Sequence, residues 1–167
     1  MKEIYLFQLN DGLKKFLSIF LIVLTIGVSL GIVFLFHSTS FDKEKTANRL
    51  IENSENVEED FGINESKSKS TGELLMTTHN HIIGFSFIFF FAGGIFYFNS
   101  LIKGFWKMFL LIEPLISIVV SFGSMWAVRY FGAEFIYLTI ISAILMYSSF
   151  YIMVGISIFD LLLKRRA

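Results

Sequence analysis

The chain contains no cysteine. That absence removes disulfides, iron–sulfur clusters, thiolate zinc sites and c-type haem attachment together. Charge is scarce and balanced: 14 Lys and Arg face 14 Asp and Glu, so the formal net charge is zero. No global basic field is present to draw in nucleic acid, which is therefore not a partner class for this chain. The sequence also lacks a nucleophile elbow, a phosphate-binding P-loop, an HExxH zinc motif and a dinucleotide fingerprint. None of the motifs of a common enzyme class is present, and whether the chain is an enzyme is left open by the sequence. Histidine occurs three times and proline once.

Apolar residues are what the chain has instead. They make up 54% of it, with charged residues at 17%, against roughly 45–50% and about 25% in ordinary soluble domains. The mean hydropathy is +0.67. A soluble domain of 167 residues would leave too much of that apolar area in water. The surplus is gathered into long runs, which points to a lipid bilayer as solvent and partner. By length the chain is one domain.

The first run, "FLSIFLIVLTIGVSLGIVFLF" from Phe16 to Phe36, is long enough to cross a hydrocarbon core of about 30 Å. Lys14 and Lys15 precede it and "FHSTS" follows it. A cleaved signal peptide has a shorter apolar stretch and a small-x-small exit, so a retained anchor helix is expected. A polar segment over 38–78 comes next. Its centre, "ENSENVEEDFGINESKSKSTGE", cannot bury enough surface to offset its ordering entropy, and a partly disordered loop is expected there. "TANRLIENSENVEEDF" reads as a short surface helix within it.

Three further spans follow, giving four at about 16–36, 80–99, 107–128 and 133–157. Thr77 or Thr78 is the expected N-cap of the second, since a side-chain oxygen there accepts from the free amides of the first turn. Gly27, Gly31, Gly93 and Gly94 read as helix-packing positions. The fold class is an all-α integral membrane protein, a four-transmembrane-helix bundle. No internal repeat supports an inverted-repeat transporter. Homo-oligomer contacts, or partner subunits in a membrane complex, remain open.

An even number of spans puts both termini on one side. Lys14, Lys15, Lys103, Lys107, Lys164, Arg165 and Arg166 gather at one face, and the other has Arg129 and a net-acidic loop. The positive-inside rule then predicts cytoplasmic termini, an outer 38–78 loop and residence in the inner (plasma) membrane.

With that topology, His37, His79 and His81 all fall at the outer end, with Met76, Met125, Trp126, Arg129 and Glu134 near them. Neutral imidazole ligates haem iron, copper or zinc, and a thioether such as Met76 adds a copper(I) preference. Residues i and i+2 of a regular helix point about 200° apart. His79 and His81 can therefore share one ion only if His79 precedes the helix proper. Pairing one of them with His37 suits bis-histidine haem b. A protonation switch and the ordinary polar collar of a membrane helix are the alternative readings.

Glu113-Pro114 is the second feature. An ionised side chain at the centre of a span costs about 2.5–3.5 kcal/mol on insertion scales, so such a residue is a functional hypothesis by default. Glu113 lies close enough in sequence to reach the interface or to pair with Lys103 or Lys107. Pro114 cannot donate its amide, so a kink is expected. The functional readings are a protonatable carboxyl or a contact to a quinone or ion, and the plain one is a hydrogen-bonded kink. Asp160, ahead of "LLLKRR", reads as an interfacial helix end.

The stretch "ELLMTTHNHIIGFSFIFFFAGGIFYF" resembles uncharacterised small four-helix bacterial membrane proteins with a Thr-His-x-His helix opening. That one helix is also similar to helices of haem–copper oxidase and nitric oxide reductase catalytic subunits, where an HxH opening precedes a glycine- and phenylalanine-rich span. The latter resemblance implies haem ligation by His79 or His81. The chain departs from that pattern, having four spans and no further histidine in its membrane core, so it cannot hold a binuclear centre. It has room for a single haem or metal near the outer face. Three roles follow for this small inner-membrane protein: an electron-transfer-linked protein with an outer haem or metal, a structural or accessory subunit, or a proton- or ion-coupled transport component using Glu113.

A reporter fused after Ala167 is expected to be active in the cytoplasm. Activity only outside the cytoplasm overturns the assigned orientation.

Overall fold

A computed structural model describes residues 4–39, 46–47, 50–51 and 69–163. Most of the polar 38–78 segment, most of the surface helix expected within it, and the basic Lys164, Arg165 and Arg166 lie outside the described residues. Among the described residues the regular structure is all helical: α1 (Asp11–Thr39), α2 (Thr71–Tyr97), α3 (Gly104–Tyr130) and α4 (Ile136–Leu162). Short 3-10 turns at Leu6–Gln8 and Ala133–Phe135 precede α1 and α4. All four helices are long and apolar enough to cross a membrane.

The first three helices start earlier than their apolar runs. Asn10 accepts the Leu13 amide at 2.8 Å and caps α1, and Asp11 in the first turn favours the positive end of the helix dipole. α2 begins at Thr71, not near 80, and its N-cap is Ser70 rather than Thr77 or Thr78. Ser70 Oγ accepts from the Glu73 amide at 3.2 Å, and the Glu73 carboxylate accepts from the Ser70 amide at 2.7 Å. This reciprocal pair satisfies two otherwise orphan donors and nucleates a polar first turn that hydropathy reads as loop. The end of the expected 38–78 loop is therefore helix.

α3 and α4 form an antiparallel hairpin and the most extensive pairing, with α2 laid against both and α1 against α4. Phe89, Ala92 and Phe96 of α2, Ile118 and Phe122 of α3, and Met146, Phe150 and Met153 of α4 share one core with Leu21 and Val28 of α1. Phe89 meets Phe150 edge-on at 6.1 Å, a favoured aromatic geometry. Gly93 permits the close approach of α3: a Cβ there would stand 3.2 Å from Leu111 Cδ2. Gly27, Gly31 and Gly94 face open space, so the packing role expected for them is not met within the described residues. α1 is peripheral, with 11% of its span buried against 44% for α3. It is tied to α4 by Ser29 and Tyr151, whose hydroxyls lie 2.7 Å apart.

Polar groups stitch the end of the bundle at which α1 begins and α4 finishes. Asn99, fully buried, shapes the α2–α3 turn. Its Oδ1 accepts the Leu101 and Ile102 amides at 3.0 and 2.7 Å, and its Nδ2 donates to the Phe96 carbonyl at 2.6 Å. The next residue, Ser100, donates its amide and hydroxyl to the two oxygens of Asp160 at 2.8 and 2.7 Å. Asp160 is 0% exposed. It is thus no interfacial helix end but the anchor that fastens the α2–α3 turn to α4. The Leu6 amide donates to the Phe98 carbonyl at 2.9 Å and brings the N-terminal segment to the same point.

Asp160→Ala leaves both Ser100 donors without their acceptor. It is expected to lower stability by about 2–3 kcal/mol, the scale of hydrogen bonds to a charged group, with Asp160→Asn losing less because one oxygen remains. Unfolding of the detergent-purified variants measures both.

Candidate functional site

Two regions hold the residues singled out in the sequence. At the end of the bundle where α2 starts and α3 finishes, the three histidines do not act as one cluster. Among the described residues, no group of three His, Cys, Asp or Glu is arranged to hold a metal ion. His37 is exposed in the last turn of α1, and His79 and Met76 are exposed on α2. Because α2 starts at Thr71, His79 lies inside regular helix. The condition for His79 and His81 to share an ion is therefore unmet, and their side chains leave the helix about 200° apart. His81 turns toward α3: its ring centroid is 5.6 Å from that of Phe122 and 6.1 Å from that of Phe85. Its Nδ1 lies 2.8 Å from the Thr77 carbonyl oxygen. A carbonyl only accepts, so Nδ1 carries the proton, and in a neutral ring Nε2 would present the lone pair.

Other side chains at this end fasten the helices. Trp126 Nε1 donates to Thr78 Oγ1 at 3.0 Å. Arg129 Nη1 donates to the carbonyls of Lys69 and Leu50 at 2.9 and 3.4 Å, and Nη2 to Thr71 Oγ1 at 3.1 Å. One guanidinium thus ties the C-terminal end of α3 to the start of α2 and to the segment before it. Ala47 and Leu50 pack there on Leu74, Val128 and Ile136. Glu134 is exposed, and its carboxylate folds over Gly132, whose φ of +146° suits glycine alone.

The second region is the seam between α3 and α4. Serines at helical spacing line it: Ser117, Ser121 and Ser124 on α3, and Ser142, Ser149 and Ser157 on α4, are all buried. Small hydroxyl side chains let two helices approach and supply hydrogen bonds across the gap. Ser124 Oγ lies 2.6 Å from Thr139 Oγ1. Nearer the other end of the seam is Glu113, 9% exposed. Its Oε1 accepts from Ser117 Oγ at 2.5 Å, one turn along α3, and its Oε2 from Ser149 Oγ at 2.5 Å, on α4.

The lysine pairing expected for Glu113 is not formed. Lys107 Nζ donates to the Asn99 carbonyl at 3.4 Å and lies over the Tyr97 ring, and Lys103 lies over the Tyr5 ring. Nor does Glu113 reach out to the interface, because Ser149 draws its carboxyl inward to α4. Pro114 does not break the helix: α3 runs on as α-helix from Gly104 to Tyr130.

Glu113 also lines an open cleft of about 430 Å³ between α3 and α4, whose apolar residues are mostly exposed. Phe105, Phe109, Ile112 and Ile116 form one wall, and Leu138 and Leu145 belong to the other. Ser117 and Ser142 also line it. Chemically this is a carboxyl held by hydroxyls, with apolar surroundings and no cation in contact with it among the described residues. Ser117 was findable in the sequence, one helical turn after Glu113. Ser149 was not, because only the register of the hairpin brings it to the carboxyl.

Residues 53–167 match the family Aq_1264_TM, a transmembrane helical domain. The match takes in α2, α3 and α4 and leaves α1 outside it. No curated protein and no solved structure matches the chain.

Ser149→Ala removes one of the two hydroxyl donors to Glu113 and is expected to cost about 1.5–3 kcal/mol. Ser148→Ala, at an exposed neighbouring position, is expected to be neutral. Thermal unfolding of the two variants beside the parent protein provides the comparison.

Proposed function

The chain belongs to the Aq_1264_TM family of transmembrane helical domains, and from that premise we propose that it works as a proton- or ion-handling component of the membrane through Glu113. The observation that carries this reading is the carboxyl's setting. It is buried between two helices, accepts one hydroxyl from each, and opens on an apolar cleft. An ionisable side chain inside a membrane span is a functional hypothesis by default, and this one has no cationic partner among the described residues. Such a group switches between a neutral and an anionic form, and the hydroxyls of Ser117 and Ser149 can donate to either. Glu113 is therefore placed to bind a proton or a cation in turn. In this reading both termini are cytoplasmic and the long α1–α2 connection is outside, in the plasma membrane, as the lysines around α1 and the α2–α3 turn support.

The outer histidines carry a second reading, a haem or metal site linked to electron transfer. His81 supports it. The hydrogen bond from Nδ1 to the Thr77 carbonyl is the kind of contact that orients a ligating imidazole and leaves Nε2 for the metal. His37, or a ligand from another chain, would complete such a site. A chain that handles neither protons nor a cofactor would instead be a structural or accessory subunit.

Infrared difference spectra of the detergent-purified protein across a pH series test the Glu113 reading. A protonated-carboxyl stretch that changes with pH and is lost in Glu113→Gln is expected, and proton flux into liposomes lost in the same variant. A pH series identical in the parent and Glu113→Gln overturns the reading. An absorption spectrum with elemental analysis tests the histidine reading. A Soret band or bound metal lost in His81→Ala supports it, and neither in the parent protein removes it.

A further inference from the structure

The cleft above Glu113 has a composition that selects its occupant. Glu113, Ser117 and Ser142 are its polar lining residues, and among the described residues Glu113 is the only ionisable one that lines it. Its walls are aromatic and aliphatic, and the rings of Phe105 and Phe109 stack at 6.2 Å, 26° apart. The lining residues on α3 run from Phe105 to Val120, a length of about 22 Å at the rise of an α-helix. The volume, about 430 Å³, falls within the range of small-molecule sites, roughly 300–1,000 Å³.

From this we propose that the cleft binds a lipophilic cation, an organic ammonium or phosphonium carrying apolar or aromatic groups, in exchange for the Glu113 proton. The proposal rests on the Glu113 reading above and names its ligand class. Charge complementarity carries it. When Glu113 is ionised, its charge lies in a low-dielectric seam, and no charged side chain among the described residues contacts it. On α3, Lys107 is engaged with Asn99 and Tyr97. On α4, Asp160 holds Ser100, Tyr151 bonds Ser29 and Tyr147 lies against Phe85. On α2, His81 is engaged with Thr77. A cation in the cleft supplies the missing counter-charge. Its apolar groups are covered by the walls, and the faces of Phe105 and Phe109 attract positive charge through their quadrupoles. A simple hydrated ion would lose its water shell and gain only one carboxyl and two hydroxyls. An anionic or neutral lipid leaves the carboxylate uncompensated.

The test is equilibrium binding of tetraphenylphosphonium to the full chain in detergent, in weak buffer with a pH indicator. Saturable binding is expected, with about one proton released per cation where Glu113 is protonated. Affinity should rise with pH, as competition between the cation and a single proton requires. Glu113→Gln is expected to weaken binding at least tenfold. Leu145→Trp, which fills the cleft from the α4 wall and leaves the carboxyl in place, should do the same while keeping the pH-dependent carboxyl stretch. Binding equal in the parent, Glu113→Gln and Leu145→Trp overturns the proposal, as does the lack of saturable binding to the parent. A Glu113 that titrates in the infrared but binds no cation refutes the ligand and leaves the proton-handling reading intact. A Glu113 that does not titrate refutes both.

Discussion

Hydrocarbon supplies no hydrogen bonds, so every polar group carried into it must be satisfied by the protein itself. Much of the arrangement follows from that constraint. Glu113 cannot be left bare inside α3, so hydroxyls from α3 and α4 close on it. Asp160 cannot be left bare inside α4, so the Ser100 amide and hydroxyl close on it. Each of these contacts also places a backbone: the first sets the height of α3 against α4, and the second fastens the α2–α3 turn to the end of α4. The apolar contacts of the core press the helices together but discriminate little between registers. The buried carboxyls do discriminate, because a slip of one residue would leave a buried carboxyl without its hydrogen-bond donors. Ser18 of α1 is the exception among the described residues, a buried hydroxyl with no partner.

The two ends of the bundle are held by different chemistry. Where α1 begins, the fastening is buried and compact, built from Asn99, Ser100 and Asp160. Where α2 begins, it is a long guanidinium reaching from α3 to carbonyls and a hydroxyl at the start of α2. The second kind is partly exposed to water and therefore weaker. Between them runs the serine-lined seam, which keeps α3 and α4 close enough to share a carboxyl. The family match covers the same three helices that make this seam and its support, and α1 lies at the edge of the bundle. The helices that carry the candidate site thus lie within the matched residues.

Which parts were legible in the residues can be traced position by position. The four spans stand out because long apolar runs have few other solutions in a chain so poor in charge. Glu113 stands out for the same reason in reverse, as an ionisable side chain inside a span. The start of α2 was missed because hydropathy hides a polar first turn, although Ser70 and Glu73 have the spacing of a capping box. That miss changed the site: with the helix starting at Thr71, His79 and His81 are two positions on a regular helix and not a pair at its mouth. Asp160 was misread because a carboxylate beside a basic tail looks interfacial until its partner, sixty residues earlier in the chain, is seen.

The sequence by itself determined the solvent, the number of crossings and the residue most costly to bury. Those properties depend on local composition and length, and local composition is fully written in the chain. The partners of that residue were decided only by tertiary structure. Ser149 meets Glu113 because the α3–α4 hairpin, turning at Gly132, brings the two to the same height. Lys107, nearer in sequence, is drawn away to the Asn99 carbonyl and the Tyr97 ring. A hydrogen bond depends on position to within fractions of an ångström, and in a bundle that position is settled by how whole helices pack.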